Sequence, residues 1–160
     1  MGAIRYYSSV VKPLRAFAAA ALLLLCACGP KSDSGGANTI EVTFPNGKTV
    51  VAETMLRDSD QMRGMMFRDS LAKDRGMLFI HPKEDNVPYW MYQVRIPLDI
   101  IWMNHDRKIV EISADTPACT SKSSRDCPSY GGHEKARYVL ELAGGGAALY
   151  GLRVGDVIAF

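Results

Sequence analysis

Short runs of apolar residues, either continuous or alternating with polar residues, occupy most of the chain beyond residue 39. Residues 40–44 and 49–53 alternate on either side of a Pro-Asn-Gly turn, which predicts a β-hairpin. Apolar and polar residues alternate in a half-buried strand, and a fully buried strand is continuously apolar, so both patterns indicate strands. Further strands are expected at residues 76–80, 98–103, 108–113, 138–142 and 157–160.

Two short helical segments interrupt the strands. Helix-capping residues at 58–60 precede a helix predicted over residues 61–66, which Gly64 interrupts or ends. A second short helix is predicted over residues 147–152. About six to eight short strands with two small helices indicate one compact, mainly β domain. Its sheet would be barrel-like or a strongly curved antiparallel or mixed sheet, since closure removes exposed strand edges.

The N-terminal residues follow a different pattern. Arg5, Lys12 and Arg15 precede an unbroken apolar run at residues 16–25. A basic start followed by such a run is typical of a secretory signal peptide. The run is too short for a membrane-spanning helix, which needs ~20 apolar residues.

The sequence Leu25-Cys26-Ala27-Cys28 resembles the lipobox of bacterial lipoproteins, in which cleavage precedes the cysteine and a diacylglycerol is attached to its sulfur. We therefore expect a lipoprotein signal peptide at residues 1–27, lipidated Cys28 with a flexible Gly/Ser-rich tether at 28–38, and the domain at 39–160. The residue after the cysteine is Gly29 rather than Asp, which resembles the pattern that sorts lipoproteins to the outer membrane. The expected location is therefore the periplasmic face of the outer membrane. An ordinary secretory signal with incidental cysteines is the alternative.

Removal of this segment changes the charge of the chain. The sequence has 19 Lys and Arg against 17 Asp and Glu residues, and loss of Arg5, Lys12 and Arg15 leaves 16 basic residues against 17 acidic ones. A near-neutral chain lacks the basic excess of nucleic-acid-binding proteins, so no nucleic-acid partner is expected. The expected partners are the membrane, through the lipid, and an unknown envelope protein or small ligand.

Cys119 and Cys127 lie in a polar loop at residues 116–132. In an exported protein, two such thiols favour a disulfide, which the loop-entropy model values at roughly 2.5 kcal/mol. His133 is nearby, but two thiols and one imidazole fall short of the usual ligand set of a structural zinc site. A redox pair would need the closer Cys-x-x-Cys spacing.

Several stretches of the domain together resemble a bacterial family. They read RGMMFRDSLAKDRGMLFI (63–80), YWMYQVRIPLDIIWMN (89–104), CPSYGG (127–132), ARYVLEL (136–142) and GLRVGDVI (151–158). In this order they are similar to the family called domain of unknown function 192, over nearly all of the chain from about residue 40. The resemblance implies a compact, mostly β fold, exported to the periplasm or held there by a lipid, and it implies no particular activity.

The family motifs carry over to single positions, and one stretch departs from them. The matching positions are Arg63, Gly64, Gly76, Met77, Trp90, Met91, Pro97, Leu98, Asp99, Cys127 and Tyr130. Where the family usually reads Trp-Met-Lys-Asn-Thr, this chain has Trp90-Met91-Tyr92-Gln93-Val94. A site that uses the Lys-Asn-Thr group would be lost or altered here.

The candidate ligand-binding residues are Arg63, Arg68, Trp90, Asp99 and Tyr130. Asp99 lies among apolar residues, so its carboxylate needs a partner, which Arg63, Arg68 or backbone amides would provide. Trp90 would form an aromatic ligand platform or pack in the core.

No motif of a known catalytic class occurs in the sequence, so we assign no catalytic residue, metal or cofactor and expect a non-catalytic envelope binding module. Two alternatives stay open. One is a periplasmic hydrolase built from Asp99, His81 or His133 and a serine. The other is a copper-binding protein that uses Met62 and Met66 on one helical face.

Overall fold

The computed structural model describes Gly2 and residues 38–160 of the chain. All of the predicted signal peptide except Gly2, the predicted lipidation site Cys28 and nearly all of the tether lie outside the described residues, and the three segment boundaries stay predictions. No helix among the described residues is long and apolar enough to cross a bilayer.

Strands dominate the described residues. They are β1 (Thr39–Thr43), β2 (Thr49–Met55), β3 (Arg75–Asn86), β4 (Tyr89–Trp90), β5 (Leu98–Met103), β6 (Ile109–Thr116), β7 (Ser129–Tyr130) and β8 (Lys135–Ala143). Two short α-helices are present, α1 (Asp58–Arg63) and α2 (Gly146–Tyr150), together with a 3₁₀ turn at Ser124–Asp126. The prediction of a mainly β domain with two short helices is therefore confirmed.

Six strands form one mixed sheet in the order β1-β2-β3-β8-β5-β6. β2 and β3 are parallel, and every other neighbouring pair in this sheet is antiparallel. β4 and β7 form a separate two-stranded ladder. Strand β8 lies in the middle of the large sheet, between β3 and β5, and its side chains are buried on both faces, Leu140 on one and Val139 on the other.

The large sheet does not close into a barrel within residues 38–160. Its edge strands are β1 and β6, and the C-terminal segment lies between them with one isolated bridge on each side, Thr43 with Ala159 and Lys108 with Val157. Because pairing is limited to one residue per side, the strand predicted at 157–160 forms no ladder. A closed barrel, one of the two predicted forms, is therefore wrong for this part of the chain.

Alternation along the central strands builds one apolar cluster on each face of the sheet. Leu78, Ile101 and Leu140 belong to the first cluster, which also packs against α2. Ile100 and Val139 belong to the second cluster. All six residues of β5 are buried, because both faces of this strand are covered.

Helix α1 has the same length as the predicted helix but begins three residues earlier, at Asp58. The capping residues Asp58 and Asp60 lie inside its first turn, and the helix ends at Arg63 because Gly64 takes a φ of 43°. Since Met66 follows this turn, Met62 and Met66 do not share a helical face, and that expectation is wrong. Helix α2 ends at Tyr150, where Gly151 adopts the left-handed conformation with a φ of 68°.

Cys119 and Cys127 form a disulfide with their Cα atoms 5.8 Å apart, which confirms the predicted pairing. The Cys119 N–H also donates to the Met91 carbonyl at 3.3 Å. The disulfide-closed loop is thus attached to the segment between Trp90 and Tyr92, and restricting this loop restricts that segment as well.

Asp99 joins three separate parts of the fold through its carboxylate. Its Oδ1 accepts from the backbone N–H of Asp115 at 2.6 Å and of Gly145 at 3.1 Å, and its Oδ2 accepts from the Ala147 N–H at 2.6 Å. The carboxylate is fully buried, and these amides satisfy it. The expected alternative partners, Arg63 and Arg68, do not bond Asp99, because they lie on the opposite face of the sheet.

We expect Asp99→Asn to destabilise the fold by about 2–4 kcal/mol, because the new amide group places N–H donors against backbone N–H donors. Urea unfolding should show a lower midpoint with an unchanged slope. Asp69→Asn is the matched control, since Asp69 pairs with Arg95 in solvent and its loss should cost less than about 1 kcal/mol. Equal effects from the two variants would contradict the role of Asp99.

Candidate functional site

A cavity of about 440 Å³ opens beside helix α1, and we call it the α1 cavity. Its walls come from α1, the turn after it, the middle of β3, and the segment from β4 to Val94. Its lining includes Met62, Arg63, Met65, Met66, Phe79, His81, Tyr89, Trp90, Tyr92 and Glu141. A mostly apolar, preformed concavity with a few polar groups is typical of a small-molecule site.

Gly64 lets the turn after α1 lie against the cavity wall. Besides its positive φ, a Cβ at this position would approach the Phe79 ring to 3.2 Å, which is tighter than ordinary contact. The Phe67 N–H then donates to the Gln93 carbonyl at 2.9 Å and ties the turn to the opposite wall. Glycine is therefore the residue that allows this wall to close on Phe79.

The ladder of β4 and β7 forms a second wall and is fixed to the central sheet by Trp102. Tyr89 pairs with Tyr130 in this ladder, and the Trp102 indole N–H donates to the Val87 carbonyl at 2.8 Å. Gly131 follows the ladder with a φ of 62°, and any side chain there would overlap the Trp102 indole. Close approach of backbone to indole explains the glycine in this turn.

Glu141 is the buried charged residue of this cavity. It lies in central strand β8, opposite Met77 of β3 and Ile100 of β5, and is only 4% exposed. Its Oε2 is buried and has no hydrogen-bond partner among the described residues. Burial raises the pKa of the Glu141 carboxyl to about 8, and the nearby Arg68 guanidinium opposes this only in part.

The polar groups around Glu141 are bonded elsewhere. His81 Nε2 and the Tyr89 hydroxyl share a hydrogen bond of 3.1 Å. Arg68 forms a bidentate pair with Glu53, with N···O distances of 2.6 and 2.7 Å. Burial lowers the pKa of His81, so the imidazole is neutral at neutral pH.

Aromatic rings cover much of the remaining wall. The Trp90 and Tyr92 ring centroids lie 6.0 Å apart at the mouth, and Trp90 is 43% exposed. Phe79 and Tyr89 pack edge to face deeper inside, with centroids 5.1 Å apart. Burial, and secondarily the Glu141 charge, raises the pKa of Tyr89, so its hydroxyl stays protonated.

The structure brings together two of the five predicted site residues. Arg63 and Trp90 both line the α1 cavity. Arg68 lines a neighbouring groove of about 860 Å³, which shares Arg63, Gly64 and Met66 with the cavity. Tyr130 lies behind the wall as the ladder partner of Tyr89, and Asp99 points to the opposite face of the sheet.

Sequence reasoning missed Glu141, although a signal was present. The stretch Tyr138-Val139-Leu140-Glu141-Leu142 places one carboxylate inside an otherwise apolar strand. A carboxylate buried among apolar residues needs hydrogen-bond partners, as Asp99 does. The apolar neighbours in the sequence do not show which of the two carboxylates has such partners.

The family model of DUF192, described as an uncharacterised ACR, matches residues 41–160. The chain belongs to the DUF192 family. The predicted resemblance is thereby confirmed at the level of the family. No protein of curated function is similar enough to the chain to count as a relative.

Two solved structures share the fold of this DUF192 domain. One is a protein of Sinorhizobium meliloti 1021 described as a candidate transcription regulator, with 27% identity and a TM-score of 0.64 over 76% of this chain and 91% of the other. The second is a protein of unknown function from Novosphingobium aromaticivorans, with 30% identity and a TM-score of 0.64 over 82% and 90% of the two chains.

The family motif that departs in this chain lies at the cavity. Tyr92, in place of the usual lysine, lines its mouth, and Gln93 adopts a φ of 58°. The altered stretch therefore changes the wall of the α1 cavity, exchanging a cationic side chain for an aromatic one.

The residues of the two alternative functions are placed differently. His81 lines the cavity, but Asp99 lies on the other face of the sheet and no serine among residues 38–160 lines the cavity, so this part of the chain does not assemble the triad. His133 bonds Glu111 at 2.6 Å on the surface. Met62 and Met66 both line the cavity. Among residues 38–160, no three His, Cys, Asp or Glu side chains group as metal ligands.

The raised pKa of Glu141 predicts a pH dependence of stability. The folded DUF192 domain holds a proton that the unfolded chain releases above its ordinary pKa of 4.5, so the free energy of unfolding should fall as pH rises from 4.5 to about 8. Glu141→Gln cannot ionise and should lose this decline. Urea unfolding at about pH 5 and about pH 9 measures the difference.

The exposed Glu134→Gln is the control for this prediction and should keep the wild-type decline. A decline of the same size in Glu141→Gln would show that other groups cause it.

Proposed function

We propose that this DUF192 member is an exported lipoprotein whose domain binds a small, partly apolar ligand in the α1 cavity without catalysing a reaction. The α1 cavity is the observation that carries this proposal. It has the volume of a small-molecule site, an apolar and aromatic lining, and only a few polar groups to orient a ligand.

Rigid walls favour binding in a preformed site. Trp102 fixes the β4 segment to the sheet, the Cys119–Cys127 loop is bonded to Met91, and the turn after α1 is bonded to Gln93. A cavity that is held open by the fold loses little conformational freedom when a ligand enters. Ligand binding therefore needs no large rearrangement of this domain.

The proposed location in the cell envelope rests on the N-terminal sequence and the disulfide. The basic start, the apolar run and the Leu25-Cys26-Ala27-Cys28 stretch favour export and lipidation. A disulfide is typical of an oxidising compartment such as the periplasm. Gly29 after the cysteine favours the periplasmic face of the outer membrane.

The near-neutral charge of the processed chain favours a small ligand or an envelope protein over nucleic acid. We therefore do not extend to this chain the description of the Sinorhizobium meliloti relative as a regulator of transcription.

Cu(I) is a second candidate ligand because Met62, Met66 and His81 all line the cavity. Thioether and imidazole groups are ligands that suit Cu(I). Methionine also fills irregular apolar walls, which is the simpler reason for its presence here.

We expect Cys28→Ser to block precursor processing and membrane retention, because the acylated sulfur is the proposed anchor. Gel mobility measures processing, fatty-acid labelling measures acylation, and membrane fractionation measures retention. Cys26→Ser is the matched control and should process normally, since Cys26 leaves with the signal peptide. Unchanged processing and retention of Cys28→Ser would contradict lipidation at this residue.

We expect a thermal-shift screen of the chain against amines, sugars, nucleotides, cell-wall fragments and Cu(I) to give a saturable stabilisation. A ligand at about 100 times its Kd adds about 2.7 kcal/mol to the free energy of unfolding. Met66→Trp should fill the cavity and abolish the shift, whereas the exposed Val154→Trp lies outside the cavity and should keep it.

A shift that survives in Met66→Trp would place the ligand elsewhere on the domain. No shift in a folded sample would favour a protein partner in the envelope, to be sought by crosslinking in cells.

A further inference from the structure

The unsatisfied carboxyl of Glu141 restricts which ligand the α1 cavity accepts. Oε2 is buried without a hydrogen-bond partner among residues 38–160, and the residue is nine-tenths or more buried. Native proteins rarely leave such an atom unpaired, because it has lost its water and gained nothing in return. Since Glu141 lines the α1 cavity, a bound ligand is the partner that the fold leaves room for.

No neighbouring side chain satisfies Glu141 in the described fold. The adjacent strands present Met77 and Ile100 beside it. The charged and titratable groups that line the cavity or act on Glu141 are Asp58, Arg63, Arg68 with its partner Glu53, His81, Tyr89 and Tyr92. Arg68 is held by Glu53, and His81 is bonded to Tyr89, so neither is free to pair with the carboxyl.

The cavity lining does not bring a net positive charge to this carboxyl. His81 is neutral because burial lowers its pKa. The remaining charged residues of the lining, Asp58 and Arg63, are exposed at the mouth and have opposite signs. An ionised Glu141 would therefore leave the cavity with an excess negative charge, which favours a cationic ligand.

The aromatic walls favour the same ligand chemistry. Trp90 and Tyr92 stand together at the mouth, and Phe79 and Tyr89 lie deeper. The faces of such rings attract a positive charge, and sites that bind organic ammonium groups commonly combine aromatic rings in this way. The same rings also provide apolar contact for the rest of the molecule.

We propose that the α1 cavity binds a small organic cation, an ammonium group on an aromatic or aliphatic body, with the ammonium bonded to Glu141 and the body between the aromatic rings. This inference rests on the proposed ligand-binding function of the cavity. An ammonium in the cavity donates a hydrogen bond to the carboxyl group of Glu141, which lines the cavity, and supplies the charge that stabilises the ionised carboxylate.

Binding of such a cation also displaces a proton. At pH 7 the empty cavity holds Glu141 mainly as the neutral acid, because burial raises its pKa to about 8. An ammonium beside the carboxyl lowers that pKa, so the Glu141 proton passes to the buffer as the ligand enters. A neutral ligand of the same shape leaves the proton in place.

The test uses three probes with the same aromatic body and different charge, 2-phenylethylamine, 2-phenylethanol and phenylacetate. Calorimetry of the full chain in an uncharged maltoside detergent, in two buffers of different ionisation heat, measures affinity and proton release together. We expect the amine to bind at least about tenfold more tightly than the alcohol or the acid, and to release up to one proton.

Glu141→Gln should weaken binding of the amine about tenfold to a hundredfold and abolish proton release, while leaving the affinity for the alcohol unchanged. Asp69→Asn is the matched control, because Asp69 is an exposed carboxylate outside the cavity lining. Its effect on the affinity for the amine should be smaller than about threefold.

A second variant tests the charge without removing Glu141. Tyr92→Lys places an ammonium of the chain itself on the cavity wall, where Tyr92 now lies. Both probes lose contact with the Tyr92 ring, and only the amine also meets the added charge, so binding of 2-phenylethylamine should weaken at least about tenfold more than binding of 2-phenylethanol.

The outcomes separate this inference from the proposed function. Equal binding of the three probes, or an amine affinity that Glu141→Gln leaves unchanged, would overturn the cation inference while the cavity stays a ligand site. Absence of amine binding also overturns it, and the broad screen with Met66→Trp then decides separately whether the cavity binds any ligand. Tight binding of the amine with proton release in the wild type, and loss of both in Glu141→Gln, supports the proposed function and the cation inference together.

Discussion

The three backbone amides that donate to Asp99 hold the sheet and helix α2 in one arrangement. Strand β5 contributes the carboxylate, and the donors come from the end of β6 and from the start of α2. Burial of a carboxylate costs free energy, and these three hydrogen bonds offset that cost. The first apolar cluster, which packs on this side of the sheet, depends on the position of α2.

Glu141 shows how differently the same chemical group behaves on the other face. It lies one strand away from Asp99, in β8, and points into the second cluster, where methionines and aromatic rings offer no donor to Oε2. Burial therefore raises the pKa of the Glu141 carboxyl, and the residue lines the α1 cavity. Buried ionisable groups with a shifted pKa are common at functional sites, because binding and catalysis often require them. Asp99 thus connects elements of the fold through hydrogen bonds, whereas Glu141 places a buried carboxyl group in the wall of the cavity.

The cavity wall also explains why the altered family motif matters in this chain. Trp90, Met91 and Tyr92 form one continuous segment, and only its outer two residues line the cavity, while Met91 is buried and bonded to the disulfide loop. The buried position is kept as the family has it, whereas position 92 is exchanged at the mouth. The departure from the motif at position 92 therefore changes the mouth of the cavity, while the buried residue that supports the wall is the one in the motif.

The sequence by itself determined the elements that depend on local pattern. The hairpin before residue 55, the buried strand at 98–103, the helix end at Gly64 and the disulfide were all predicted, because periodicity, turn residues and cysteine usage act over short distances. The open sheet edge, the order of the strands and the partners of Asp99 were decided only by tertiary structure. The importance of Glu141 also emerged only there, because burial of a carboxylate without a partner depends on strands that are far apart in the chain.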